Sequence, residues 1–365
     1  MAETSIYTTI SSIIEGATAG DYGFWNQSLI FRKRARLNIF GAYGASCKSG
    51  LTSSLEGVLL GMNRILENSR ELSRRSSAGA EPETQAGVAR SGSQSVVVDG
   101  LRFCYERQGQ GRPLVLVHGL LGYSFSWRHV IPLFAPRWEV FAPDLPGAGY
   151  SDCDSRLEGR LSSAATRLLG FLDALGIHCC DLVGSSYGGA TVLMMAAREN
   201  SRVRRLVLVS PVNPWSRHGR VKLSLFRNRL VRSLFPPLAR SIRVLDRHFL
   251  GRLYGEPGRL SPEALAGYQG PLRRGGVLEH ATKIVQTWDS DIIELELLLP
   301  QLSHVPTLLV WGSRDRAVDP ASAAPLARSL GNAEVAVIEG AGHLPYEENP
   351  DAFSRIVTEF LLRSG

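Results

Sequence analysis

Three side chains in this sequence have the types and the order for nucleophilic attack on a carbonyl: Ser186, Asp315 and His343. A serine hydroxyl is a weak nucleophile at neutral pH and needs a base to take its proton as it attacks. Histidine titrates near neutrality and can hand that proton on to a leaving group. A carboxylate against the second ring nitrogen fixes the tautomer and stabilises the imidazolium. Ser186 lies in Gly184-Ser185-Ser186-Tyr187-Gly188, with small residues two before it and two after it. This G-x-S-x-G pattern suits a tight turn between a strand and a helix, where larger side chains would clash. Asp315 follows the apolar run Thr307-Leu308-Leu309-Val310-Trp311-Gly312, and His343 follows Glu334-Val335-Ala336-Val337-Ile338. Asp319, Glu347 and Glu348 compete with Asp315 as the acid; its place at a strand end favours Asp315.

Such residues must be brought together by a scaffold. The apolar runs at 113–117, 138–143, 180–184, 205–210, 307–311 and 334–338 are nearly continuous and alternate with helix-length segments. Runs of that kind belong to a parallel sheet covered on both faces. A hairpin precedes them, residues 95–98 and 101–106 around the turn Asp99-Gly100. Ligands bind outside the carboxyl ends of strands in such sheets, and Ser186, Asp315, His343 and the His118-Gly119 loop all fall just past strand ends.

The motifs taken together resemble the α/β-hydrolase fold superfamily, in its serine-nucleophile form with an inserted helical cap. The matching pieces are His118-Gly119, Asp144-Leu145-Pro146-Gly147-Ala148-Gly149-Tyr150-Ser151, the turn at Ser186, Gly312 to Asp315, and Gly342-His343-Leu344-Pro345 with Glu348 and Pro350 behind. The chain order serine, acid, histidine is the family's order. The resemblance implies an α/β fold, a mostly parallel sheet with helices on both faces. It places the core at residues 95–213 and 301–365 and a helical cap at 214–300. It also implies an oxyanion hole from the backbone N–H groups of Leu120 and Tyr187. Leu121, Trp127 and Tyr150 are candidates for the substrate pocket, with ordinary packing the alternative for Trp127 and Tyr150. His118 and Asp144 read as structural loop residues.

The reaction implied is hydrolysis of a carboxylic ester or related acyl bond of a hydrophobic small molecule through an acyl-enzyme on Ser186. Carbon–carbon bond hydrolysis, amide hydrolysis, acyl transfer and cofactor-free perhydrolysis use the same triad and stay open. So does a non-catalytic ligand-binding protein on the same fold. Epoxide hydrolases and haloalkane dehalogenases carry aspartate where this chain has Ser186. No metal or cofactor motif is visible, and no glycine-rich turn has phosphate-loop spacing.

Composition bounds the rest. The chain has 365 residues, 44% hydrophobic and 21% charged, ordinary values for a globular protein. No run of 18 uncharged apolar residues occurs, and acids at Glu3 and Glu15 argue against a secretory signal. An odd count of five cysteines without metal spacing fits free thiols in a reducing cytoplasm. The net charge of +7 is uneven: residues 215–252 hold nine arginines and one lysine against one acid. That stretch reads as a solvated surface, a site for an anionic substrate, or a peripheral membrane contact. For the last reading, Leu223, Phe226, Leu230 and Leu234 share one helical face. No nucleic-acid motif accompanies the basic stretch. Residues 1–79 stand outside the resemblance as a helical extension of unassigned role, with a helix expected near 52–75. Residues 80–94 are small and polar and read as a flexible linker. The oligomeric state is not legible.

Overall fold

A computed structural model describes residues 93–216, 233, 235–236, 247–331 and 333–363. They build a sheet from β1 (Ser93–Val98), β2 (Leu101–Gln108), β3 (Arg112–Val117), β4 (Trp138–Pro143), β5 (Cys180–Ser185), β6 (Val203–Val209), β7 (Thr307–Gly312) and β8 (Ala333–Ile338). The strand order is β1-β2-β4-β3-β5-β6-β7-β8. The opening hairpin is antiparallel, and β2 joins β4 antiparallel. Every later pairing is parallel. The helices are α1 (Ile131–Phe134), α2 (Leu161–Ala174), α3 (Tyr187–Arg198), α4 (Arg247–Gly251), α5 (Pro262–Leu272), α6 (Val277–Leu298), α7 (Ala323–Leu330), α8 (Pro345–Glu348) and α9 (Pro350–Leu362).

The continuous apolar strands bury both faces, because successive side chains point to opposite sides. Val115, Val117, Leu182, Leu206, Leu208, Leu309 and Trp311 face a core shared with α2, α3 and α6. Leu114, Leu116, Val183, Val207, Val209, Leu308 and Val310 face the opposite core, shared with α1, α5 and α9. Helix α3 runs through the middle of the first core and is buried from Tyr187 to Ala197. Phe171 on α2 packs in that core with its ring centroid 5.4 Å from those of both Phe103 and Tyr105. Phe171→Ala is expected to cost about 3–5 kcal/mol of stability; the midpoint of urea-induced unfolding measures it.

Two boundaries and the covering of one strand differ from the sequence reading. β1 starts at Ser93, so the linker loses Ser93 and Gln94. Gln94 is held by the Tyr105 hydroxyl, which donates to its Oε1 at 2.8 Å. The core also reaches back before residue 301. Ile284, Ile292, Leu295 and Leu299 recur at helical spacing and join the sheet-facing core. Helix α6 is thus part insertion and part crossover to β7. Lastly, β8 is apolar without being covered. Among the described strands it pairs only with β7 and lies at the edge, and Val335 and Val337 are about half exposed (47% and 49%). The extension 1–79, the rest of the linker and the face Leu223, Phe226, Leu230, Leu234 lie outside the described residues. Among the described residues no helix is long and apolar enough to cross a membrane.

Candidate active site

Ser186 stands between β5 and α3 with φ 53°, a left-handed backbone angle that costs a non-glycine residue energy. The turn is held by three hydrogen bonds: Ser186 N–H donates to Val209 O (2.9 Å), and Ser186 O accepts from Ala190 N–H (3.1 Å) and Val212 N–H (3.0 Å). From Cys180 to Ala197, Ser186 is the one residue that is not buried. The turn therefore pushes a single hydroxyl out of an otherwise enclosed strand and helix. A Cβ on Gly188 would strike the carbonyls of Val117 and His118, so only glycine lets the β3 loop close over the start of α3. Gly119 in that loop comes so near that a Cβ there would sit 3.1 Å from Ser186 Cβ. Tyr187 opens α3, and first-turn N–H groups lack acceptors within their own helix. This end of a helix is suited to negative charge.

Asp315 and His343 meet just past the ends of β7 and β8, beyond β6 on the same side of the sheet. His343 Nδ1 lies 2.9 Å from Asp315 Oδ2, and both side chains are buried. The other Asp315 oxygen accepts from Ala317 N–H (2.8 Å) and Val318 N–H (3.0 Å). Burial alone would raise the Asp315 carboxyl; the adjacent His343 and the Val318 N–H outweigh it and hold the group below its ordinary value. The competing acids point elsewhere. Asp319 caps a short turn by accepting from Ala321 N–H at 2.9 Å. Glu347 accepts from Tyr254 Oη at 2.6 Å and pairs with Arg128 at 3.0 Å. Glu348 accepts from Gly342 N–H at 2.6 Å and from Gly255 N–H.

His118 is buried with both ring nitrogens against the main chain. Nε2 accepts from Leu145 N–H at 3.0 Å, which leaves Nδ1 to donate to Gly119 O at 2.8 Å. Burial pushes its pKa down, so the ring is a neutral brace. Asp144 likewise accepts from Ser124 N–H and Tyr150 N–H, both at 2.8 Å.

A cavity of about 30 Å³ adjoins the loop His118–Leu121 and the start of α3, room for about two water molecules. Leu120, Leu121 and Tyr187 line it, as do Arg167 and His280. Burial and the nearby cations Arg167 and Lys283 push His280 down to about 4, so it is neutral at pH 7. Trp127 and Tyr150 do not line this cavity. Trp127 is fully buried against Tyr346, ring centroids 4.3 Å apart. Tyr150 lies under the Arg274 guanidinium, 5.6 Å from its ring centre. Both sit next to the loops as packing residues, which sequence proximity does not distinguish from lining. Arg167 and His280 were not anticipated. They lie on α2 and α6, far along the chain from any motif. Among the described residues no cluster of three or more His, Cys, Asp or Glu is arranged to hold a metal ion.

A family profile described as the α/β hydrolase fold matches residues 112–350. The chain belongs to that family and is a hydrolase. It is 30% identical over 279 residues to 2-hydroxymuconate semialdehyde hydrolase of Pseudomonas putida, covering 73% of this chain and 93% of that protein. It is 28% identical over 262 residues to 2-hydroxy-6-oxo-6-phenylhexa-2,4-dienoate hydrolase of Burkholderia cepacia, covering 69% and 88%. Among solved structures, a point mutant of a meta-cleavage product hydrolase, CumD, aligns with a TM-score of 0.61 at 25% identity, covering 73% of this chain and 97% of that one. CumD comes from Pseudomonas fluorescens.

Proposed function

We propose that this chain is a serine hydrolase that breaks a bond beside a substrate carbonyl through an acyl-enzyme on Ser186. The observation that carries this reading is the partial exposure of Ser186 on its strained turn, alone among the buried residues from Cys180 to Ala197, at the same carboxyl-end edge of the sheet as the buried Asp315–His343 pair. With Nδ1 committed to Asp315, Nε2 of His343 is the ring nitrogen left to take the serine proton. Ser186 Oγ then bonds to the carbonyl carbon, and the N–H groups of Leu120 and Tyr187 receive the developing oxyanion. His343 returns the proton to the leaving group, and water, deprotonated by the same ring, releases the acid.

A carboxylic ester is the first substrate class; the side chains beside the oxyanion loop are mainly apolar and suit a hydrophobic group next to the carbonyl, while the cavity itself holds only a small one. A second reading has specific support. The two named relatives act on compounds whose names contain an aldehyde or oxo group and no ester. Hydrolysis of such compounds breaks a carbon–carbon bond. A panel of p-nitrophenyl esters of rising chain length, run beside a 6-oxo-2,4-dienoate, separates the two. Esterase action gives turnover on the esters with a chain-length optimum. Dienoate turnover without ester turnover would assign carbon–carbon hydrolysis. Silence on both, with no labelling by a fluorophosphonate, would turn the reading toward a binding protein.

A further inference from the structure

The loop that carries His343 is held from outside the core. His343 N–H donates to Leu253 O at 2.7 Å, and Leu253 belongs to the segment inserted between β6 and β7. Two residues on, Gly255 N–H reaches both oxygens of Glu348, at 3.1 and 3.0 Å. The same carboxylate takes Gly342 N–H at 2.6 Å, the amide just before His343. Arg259 of the inserted segment adds charge 3.8 Å away. The Glu348 side chain is fully buried (0% exposed). A buried carboxylate is costly unless hydrogen-bonded, and here the bonds come from both segments at once.

Main chain meets main chain at this point. A Cβ on Gly255 would enter the Gly340 carbonyl, and one on Gly342 would strike Gly255 N and Leu253 O. Neighbouring Glu347 repeats the pattern with side chains. It accepts from Tyr254 Oη and from Tyr268 Oη on α5, and pairs with Arg128 beyond the oxyanion loop.

We propose that Glu348 is a positioning residue for His343: its buried carboxylate ties the amide before His343 to the turn 253–255, so the inserted segment sets where the base stands. The proposal rests on the reading of His343 as base to Ser186. Such a dependence follows from the geometry. His343 touches Asp315 through its ring, but its backbone is bonded to Leu253 and, through Gly342, to Glu348. A shift of the turn therefore moves the ring relative to Ser186, and a misplacement near 1 Å can cost about 100-fold in rate.

The test compares wild type, Glu348→Gln, Glu348→Ala and Gly255→Ala in the full chain. Each is followed by the rate of fluorophosphonate labelling, by kcat and KM on the best p-nitrophenyl ester, by the pH midpoint of kcat/KM, and by thermal unfolding. Glu348→Ala should slow labelling and lower kcat by about 10- to 100-fold, with KM within about twofold and the pH midpoint moved. Glu348→Gln keeps one acceptor oxygen for Gly342 and should recover part of the loss. Gly255→Ala presses on the same loop from the other side and should give the same signature without removing a charge. Variants that unfold at lower temperature yet label at the wild-type rate with an unmoved pH midpoint would overturn the proposal and leave the carboxylate a structural tie. If Glu348→Ala fails to fold, Glu348→Gln and Gly255→Ala decide by the same criteria. A wild type that does not label at all overturns the assignment of Ser186 itself, a result separate from the variants' ranking, and Glu348 then has no base to position.

Discussion

Ser186→Ala is expected to lower kcat by about 10⁴- to 10⁶-fold, the range seen when a triad nucleophile is removed. KM should change little, because the cavity and oxyanion donors stay in place. Fluorophosphonate labelling should vanish. Mass spectrometry of the treated protein reads this directly; an adduct persisting on the alanine variant would place the nucleophile elsewhere. The backbone adds a second readout. Ser186 holds φ 53°, a conformation that costs side-chain-bearing residues of order 1 kcal/mol and glycine little. Alanine keeps that strain and glycine relieves it. Ser186→Gly should therefore be as inactive as Ser186→Ala and more stable than it by about 1 kcal/mol, measured by chemical denaturation. A stability difference of that sign between two inactive variants is the pattern expected where backbone strain is kept at a functional position.

Asp315→Asn is expected to cost about 10⁴-fold in kcat near neutral pH. The asparagine can fill the same space, yet it presents the wrong hydrogen-bonding pattern to His343 Nδ1 and removes the charge facing the imidazolium. The same variant should change the pH dependence of stability. Asp315 is held below its ordinary value in the folded chain, so the unfolded chain takes up a proton first as pH falls. The stabilisation from the carboxylate is thus present above the unfolded value, about 3.9, and is lost as pH drops through the lower folded value. Asp315→Asn should flatten that acid limb of the stability profile. Urea unfolding from about pH 3 to about pH 7 checks it; parallel curves for variant and wild type would remove the His343–Asp315 pair as a source of acid sensitivity.

Much of this site was legible because each part sits on a local signal. The strands were readable as apolar runs, and their ends located Ser186, Asp315 and His343 before any contact was known. The hairpin at Asp99-Gly100 and the positions of β3 to β8 came out within two residues. What was not legible depends on contacts between distant segments. Trp127 and Leu121 are near neighbours in the chain, yet one fills the core against Tyr346 and the other lines the cavity; nothing local separates them. Arg167 and His280 meet the cavity from α2 and α6, which carry no motif. Glu347 and Glu348 look like spare acids near a histidine, and only the fold shows them turned toward Tyr254 and Gly255. Helix α6 has the same amphipathic pattern whether it covers an insertion or the sheet, so its boundary could not be set by periodicity.

The close fit of the turn 253–255 against the loop 340–343 bears on how such proteins can be recombined. An insertion between two strands looks like a module that could be exchanged between relatives to transplant a specificity. Here the module carries part of the frame for the base. A chimera that imports a foreign insertion while leaving this sheet intact must also import a glycine where Gly255 stands and a carbonyl where Leu253 offers one. Otherwise Glu348 keeps only the Gly342 amide, and the graft inherits a new roof over a displaced histidine. The junctions for a productive exchange lie inside that turn's flanks, and the turn itself travels with the host.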